Sequence, residues 1–147
     1  MSDMEQIDIS CPECQAKQAM QVWRSLSPSV DPGSKELLFA GKVNLFSCAQ
    51  CSYEAFIPID FIYHDPVQKY CVQFYSPRSV ENADFINAFT LDGLPAWIET
   101  LGTMGKEAPH LLRPHIVFHM SELIRYVEFR DRLAAKNSEA QEKKAAA

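Results

Sequence analysis

Four of the five cysteines form two C-x-x-C pairs, Cys11-Pro12-Glu13-Cys14 and Cys48-Ala49-Gln50-Cys51, with residues 15–47 between them. Each spacing lets a tight turn aim two sulfurs at one point and leaves backbone amides free to donate to them. Four thiolates from two such turns make a tetrahedron that suits zinc, at about 2.3 Å per bond. Strand-like sequence precedes and follows each turn, which is the layout of a zinc ribbon. The expectation is one structural zinc ion held by Cys11, Cys14, Cys48 and Cys51. Four protein ligands leave no open position for water, which argues against hydrolytic zinc chemistry.

The cysteine pattern has three other uses. A thioredoxin-like dithiol needs one pair that follows a strand and opens a helix, which lowers the first thiol's pKa. Here strand residues follow both pairs, so redox catalysis is disfavoured, as is a zinc-releasing thiol switch. Four thiolates also accept iron. Lys17 or Lys42 is placed to soften the site's formal charge, and Glu13 reads as a solvated turn residue. Cys71, between Tyr70 and Val72, reads as a buried core thiol.

The chain of 147 residues is 47% apolar, enough for one domain with its own core. The polar start of the chain lacks a basic, then apolar, leader. No apolar run approaches the roughly 20 residues of a membrane helix. Together with unpaired cysteines, this leads to the expectation of a soluble cytoplasmic protein that engages no membrane. The net charge is −5 and neither half is basic, which favours a protein partner over nucleic acid. Nothing in the sequence specifies an oligomeric state.

Alternation around Ile7 and Ile9 predicts a first strand, and residues 16–24 a second, with Met20 and Val22 on one face. Asp31-Pro32 reads as a helix N-cap and first helical residue. Leu37, Leu38 and Ala40 form that helix's apolar side, and Gly41 its C-cap. Strands are expected at 43–46, 53–63 with a bulge or edge at Pro58, and 70–75, the last two as a hairpin around His64-Asp65-Pro66. Residues 77–110 read as irregular helical, with one helix at 80–89. A strand at 114–118 precedes a helix at 122–135, capped by Ser121 and buried through Leu123, Ile124, Val127 and Leu133. The expected organisation is an α+β domain over residues 5–135 with a zinc ribbon at 7–56. Antiparallel hairpins join a small antiparallel sheet with flanking helices, and a flexible Ala/Lys-rich tail follows at 136–147.

The chain resembles the CpXC family of bacterial and archaeal proteins. The resemblance rests on both cysteine pairs with Phe46-Ser47 before the second, Asp31-Pro32, Lys35 to Leu38 with Gly41, Tyr63-His64-Asp65, and Ile116-Val117-Phe118 with Glu122-Leu123-Ile124. It implies a zinc-ribbon-like start joined to an α+β remainder and says little about activity. The second knuckle departs from the pattern with Ala49 in place of Pro. Gln15 and Ser52 stand where Gly is common, and a positive φ there costs a non-glycine residue about 1 kcal/mol.

Outside the cysteines, His64 beside Asp65 is the strongest catalytic pattern. Adjacent strand residues face opposite ways, however, so a turn role is favoured. His115 and His119 would sit about 13 Å apart along a strand, too far to share an ion, and His110 falls in a loop. Phe56, Phe61, Tyr63, Tyr70, Phe74 and Tyr75 read as core rather than a base-stacking platform. Arg125, Arg130 and Arg132, interspersed with acids, read as a solvated helix face. The favoured function is a non-enzymatic zinc module that binds another protein. The alternatives are an enzyme with a cleft at His64, Asp65 or Asp60, and a nucleic-acid-binding ribbon with a basic groove at Lys17, Arg24 and Lys42.

Overall fold

The structure, a computed structural model, describes residues 3–102 and 106–146. A five-stranded sheet is built from β1 (Asp3–Ser10), β2 (Lys17–Leu26), β5 (Phe61–Asp65), β6 (Tyr70–Phe74) and β7 (His115–Val117), in the order β1-β2-β5-β6-β7. A separate two-stranded hairpin pairs β3 (Leu45–Ser47) with β4 (Glu54–Phe56). The architecture is α+β, but the large sheet is mixed rather than antiparallel. β1–β2 and β5–β6 are antiparallel hairpins, while β2–β5 and β6–β7 pair in parallel. Parallel neighbours need long crossovers. The chain supplies them as residues 27–60, which carry α1 (Ser34–Phe39) and the small hairpin, and residues 75–114.

The sheet is covered on both sides. Phe61, Tyr63, Tyr70, Val72 and Phe74 face a core closed by Leu38 of α1 and by Met120, Leu123 and Val127 of α3 (Met120–Ala146). On the other side Phe85 and Phe89 set their rings edge-on to Tyr75, at 4.9 and 5.8 Å. Every residue of β6 is buried, as expected of a strand covered on both faces. A polar network ties α3 to the β5–β6 turn. Asp65 Oδ1 accepts from the Val67 and Gln68 amides at 3.0 and 2.9 Å. Gln68 Nε2 and Lys35 Nζ both donate to Asp131 Oδ1, at 2.9 and 2.8 Å. The Arg130 guanidinium lies 4.3 Å from the Tyr70 ring centre, a cation–π contact.

Several elements differ from the expectation. The first helix starts at Ser34 with Gly33 as N-cap, because Asp31 and Pro32 are spent on the preceding turn. Only Leu38 of its expected apolar side is buried, while Leu37 and Ala40 are exposed. Its end is as expected: Gly41 adopts φ 71, and Gly41 and Lys42 donate to the Leu38 and Leu37 carbonyls, closing a Schellman motif. The strand expected at 43–46 begins only at Leu45, because Asn44 adopts φ 55. The long strand expected at 53–63 is two, β4 and β5, with Pro58 in the break. The helix expected at 80–89 is a 3-10 turn, Pro77–Glu81, followed by α2 (Ala83–Asn87). Asn82 divides them by capping the Asp84 and Phe85 amides. The last helix begins at Met120, so Ser121 lies inside it, and Glu122 Oε2 accepts the Phe118 amide instead. It also runs past Ala135 to Ala146, because Ala, Glu, Lys and Gln are strong helix formers. Among the described residues no helix is long and apolar enough to cross a membrane.

Candidate metal centre

Both knuckles are hairpin turns. Cys11 and Cys14 lie between β1 and β2, and Cys48 and Cys51 between β3 and β4. In the first turn Cys11 N–H donates to the Ala16 carbonyl at 2.9 Å and Gln15 N–H to the Cys11 carbonyl at 2.8 Å. Gln15 holds the left-handed conformation anticipated for it, with φ 63, whereas Ser52 does not. In the second turn Cys48 N–H donates to the Tyr53 carbonyl at 3.0 Å.

The two turns bring all four sulfurs within 4.8 Å of one another. The shortest separations cross between knuckles, Cys11–Cys51 at 3.6 Å and Cys14–Cys48 at 3.5 Å. A disulfide would need about 2.05 Å, and all five cysteines are free. A tetrahedral ion bonded at about 2.3 Å sets sulfur–sulfur edges near ~3.8 Å, so the donor set fits such an ion. Cys11 and Cys48 are buried, Cys51 is half-buried and Cys14 is exposed. A small apolar cluster of Phe46 with Ile9, Met20, Tyr53 and Ile57 packs around the buried pair.

The electrostatics of the sulfurs point the same way. The Gln50 amide, 3.4 Å from Cys48 Sγ, is the main cause that lowers this thiol to about 7, against the opposing effect of burial. The Tyr53 amide favours ionisation of Cys51, but burial and the three neighbouring sulfurs outweigh it and push that thiol to about 12. The crowded sulfurs thus oppose full ionisation of the set. A cation at the centre removes that conflict, because bound thiolates are deprotonated outright. A backbone amide serves a sulfur directly, Gln50 N–H at Cys48 Sγ. Both Lys17 and Lys42 are exposed.

Two residues that sequence reasoning passed over hold the ribbon in place. Gln18, on β2, donates from Nε2 to the Ser47 carbonyl at 3.0 Å and accepts from the Ala49 amide at 2.9 Å. Its side chain thereby clamps one knuckle to the other. Asn44 accepts from Trp23 N–H at 2.7 Å and donates to the Trp23 carbonyl at 3.0 Å, acting as a one-residue strand partner for β2. No local pattern marks a lone Gln or Asn whose partners lie more than 20 residues away. Gln18→Ala is expected to remove about 1–2 kcal/mol of stability and to speed metal loss to a chelator. Stopped-flow transfer to a colorimetric chelator checks this, and an unchanged rate would contradict the clamp.

The other candidate residues do not assemble into a catalytic site. Asp65 is buried and occupied by turn amides. His64 lies on the opposite face, with its Nε2 2.7 Å from Nε2 of His110. Sequence reasoning missed this pair because 45 positions of chain intervene (65–109). One ring donates and the other accepts, so at most one of the two carries a charge while the bond holds. Burial, then the His110 charge, lowers the His64 pKa. Burial, then Lys69, lowers that of His110.

Both imidazoles therefore bind protons more weakly folded than unfolded, where the pKa is about 6.5. Their contribution to stability is complete above that value and is lost as pH falls through the lower folded values. Differential scanning fluorimetry should show the wild type losing more thermal stability than His64→Gln on acidification from about pH 6.5. Parallel curves would rule the effect out.

The remaining features divide cleanly. Phe61, Tyr63, Tyr70, Phe74 and Tyr75 are core, while Phe56 is exposed. His115 stacks on Tyr126 at 4.0 Å, and His119 is exposed where α3 begins. Among the described residues only the four cysteines form a group able to hold a metal. Cys71 is buried, and burial raises its thiol to about 11, as befits a core thiol. Arg24 is hydrogen-bonded to Glu5 at 2.9 Å. Arg125 and Arg132 pair with Glu128 on the exposed side of α3, but Arg130 turns inward to Tyr70 and the Gln68 carbonyl.

In comparisons with known proteins, no curated protein and no solved structure matches the chain. A family model, described as CpXC protein, matches residues 9–145. That match spans both knuckles, β2 to β7 and nearly all of α3: the chain belongs to the CpXC family.

Proposed function

We propose that this chain is a non-enzymatic module in which one zinc ion is structural and an exposed apolar surface binds another protein. The observation that carries the first half is the mutual approach of four sulfurs within 4.8 Å. Four thiolates saturate a tetrahedral ion and leave no site for substrate or water. The ion joins two hairpins that otherwise share a small apolar cluster and the Gln18 and Asn44 side-chain hydrogen bonds, which is a structural task. Zinc is preferred to iron because it needs no redox partner and suits a closed four-thiolate site.

The second half rests on the surface. Val80, Ile86 and Leu91 are exposed around a groove of about 460 Å³ that Phe85, Phe89, Ile116 and Phe118 also line. Exposed apolar residues gathered on one face mark protein contacts more often than scattered ones do. The net charge of −5 and the pairing of Arg24 weigh against nucleic acid. The separation of His64 from Asp65 weighs against acid–base catalysis.

Inductively coupled plasma measurement on protein purified without added metal should give one zinc per chain, with no visible absorption from iron. Cross-linking in the native host should capture a protein that Leu91→Asp and Ile86→Asp release while zinc content stays unchanged. Iron in the site, or capture insensitive to both substitutions, would overturn the corresponding half.

A further inference from the structure

A second cavity lies on the sheet face opposite α3, with no cysteine in its lining. It measures about 310 Å³ and is lined by Asp60, Gln73, Tyr75, Phe85, Phe89 and Trp97, among others. Separate elements converge there. Asp60 immediately precedes β5, Gln73 and Tyr75 come from β6 and its end, Phe85 from α2, and Trp97 from the 3-10 turn Ala96–Leu101. The size falls at the low end of ligand pockets, roughly 300–1,000 Å³, and suits a compact headgroup rather than an extended cofactor.

Its chemistry is specific. Four aromatic side chains and one carboxyl group share a small space. The Tyr75 ring stands nearly perpendicular to those of Phe85 and Phe89, at 76° and 83°. The Trp97 side chain lies near enough to the Tyr75 hydroxyl to favour its ionisation. Gln73 has its amide nitrogen committed to the Phe61 and Phe74 carbonyls, so it offers no free cationic or N–H group of its own. Asp60 has no ion-pair partner among the described residues. The nearby Arg24 is held by Glu5. Desolvation raises the Asp60 carboxyl above its ordinary range, only partly offset by the Arg24 charge. A partly desolvated carboxylate beside aromatic faces lacks one thing, a cation. Aromatic faces attract weakly hydrated cations best, quaternary ammonium above all.

We propose that this pocket binds an organic ammonium group, with Trp97 and Tyr75 as aromatic walls and Asp60 as counter-charge. A quaternary ammonium sheds water easily and fills an apolar volume, whereas a metal ion would find one carboxylate and no further charged ligand. The site is independent of the zinc centre, and its test does not depend on that reading.

Choline and tetramethylammonium serve as probes on the metal-loaded full chain, read by proton–nitrogen NMR. The chain has two tryptophans, and Trp23, packed at the main core, acts as the internal reference. The Trp97 indole resonance should shift saturably while that of Trp23 stays fixed. The neutral neohexyl alcohol, in which carbon replaces the nitrogen of choline, should bind at least about tenfold more weakly, as loss of the cation–π and charge terms requires. Asp60→Asn, at an exposed position that leaves the core intact, should weaken choline by a similar factor at low salt. Trp97→Ala should abolish binding, with Trp97→Phe restoring part of it. The proposal is overturned if the neutral alcohol binds as well as choline, if Asp60→Asn binds unchanged, or if Trp97 does not respond within the solubility range of the probes.

Discussion

Replacing Cys48 with Ser should strip the metal from the protein and loosen residues 7–53, and Cys14→Ser should do so to a lesser degree. Metal binding in small thiolate sites contributes on the order of 10–16 kcal/mol near neutral pH, whereas whole domains are stable by about 5–15 kcal/mol. The apolar cluster beneath the knuckles is small, which leaves the Gln18 and Asn44 side-chain hydrogen bonds to help hold β3–β4 against β2. The order of the two effects follows from position. Cys48 is buried and receives the Gln50 amide, so its loss leaves an orphaned donor and a misplaced hydroxyl as well as an empty ligand position. Cys14 is exposed, and water can take its place on the ion. Metal content by inductively coupled plasma measurement and amide hydrogen exchange over residues 7–53 check both variants. Full metal retention in both would remove the cysteine cluster as a metal site.

The knuckles are the part of the fold that local sequence specifies most completely. A C-x-x-C spacing is a covalent constraint within four residues, and its geometry needs no knowledge of the rest of the chain. Strand positions were nearly as readable where apolar residues alternate, as in Phe61 and Tyr63. What local pattern does not carry is how the strands join. The parallel pairing of β2 with β5, through only Ser25–Ile62 and Leu26–Tyr63, depends on where a crossover of more than 30 residues returns the chain. The same holds for polar side chains that serve distant backbone, such as Gln18 and Asn44. The length of α3 escaped for a different reason. Its apolar stripe fades after Leu133, so periodicity ends there, but helix propensity does not require a buried face. Asn82 did carry a readable signal, an N-cap two residues before an acid, which outweighed the apparent helix across 80–89.

Leu123→Ala should destabilise the domain by about 2–5 kcal/mol while leaving the metal bound. Leu123 is 0% exposed and sits among Tyr63, Val72, Phe74 and Val127 in the main core. The apolar cluster at the metal contains none of these residues. β2 joins the two regions, with Met20 packed at the ribbon and Leu26 in the main core. Two side-chain bridges reinforce that joint near the small hairpin, Asn44 with Trp23 and Gln18 with Ser47 and Ala49. Two cores that share no buried residue should respond separately to a cavity in one of them. Urea unfolding followed by circular dichroism gives the loss in stability, with a thermal shift on the order of 10 °C. Metal content of the folded variant gives the independence. Leu133→Ala, on the same helix but 40% exposed, should change stability by no more than about 0.5 kcal/mol. Release of the metal by Leu123→Ala under native conditions would mean that the ribbon depends on the main core for its shape, and that the sulfurs are brought together by the whole sheet rather than by their own two turns.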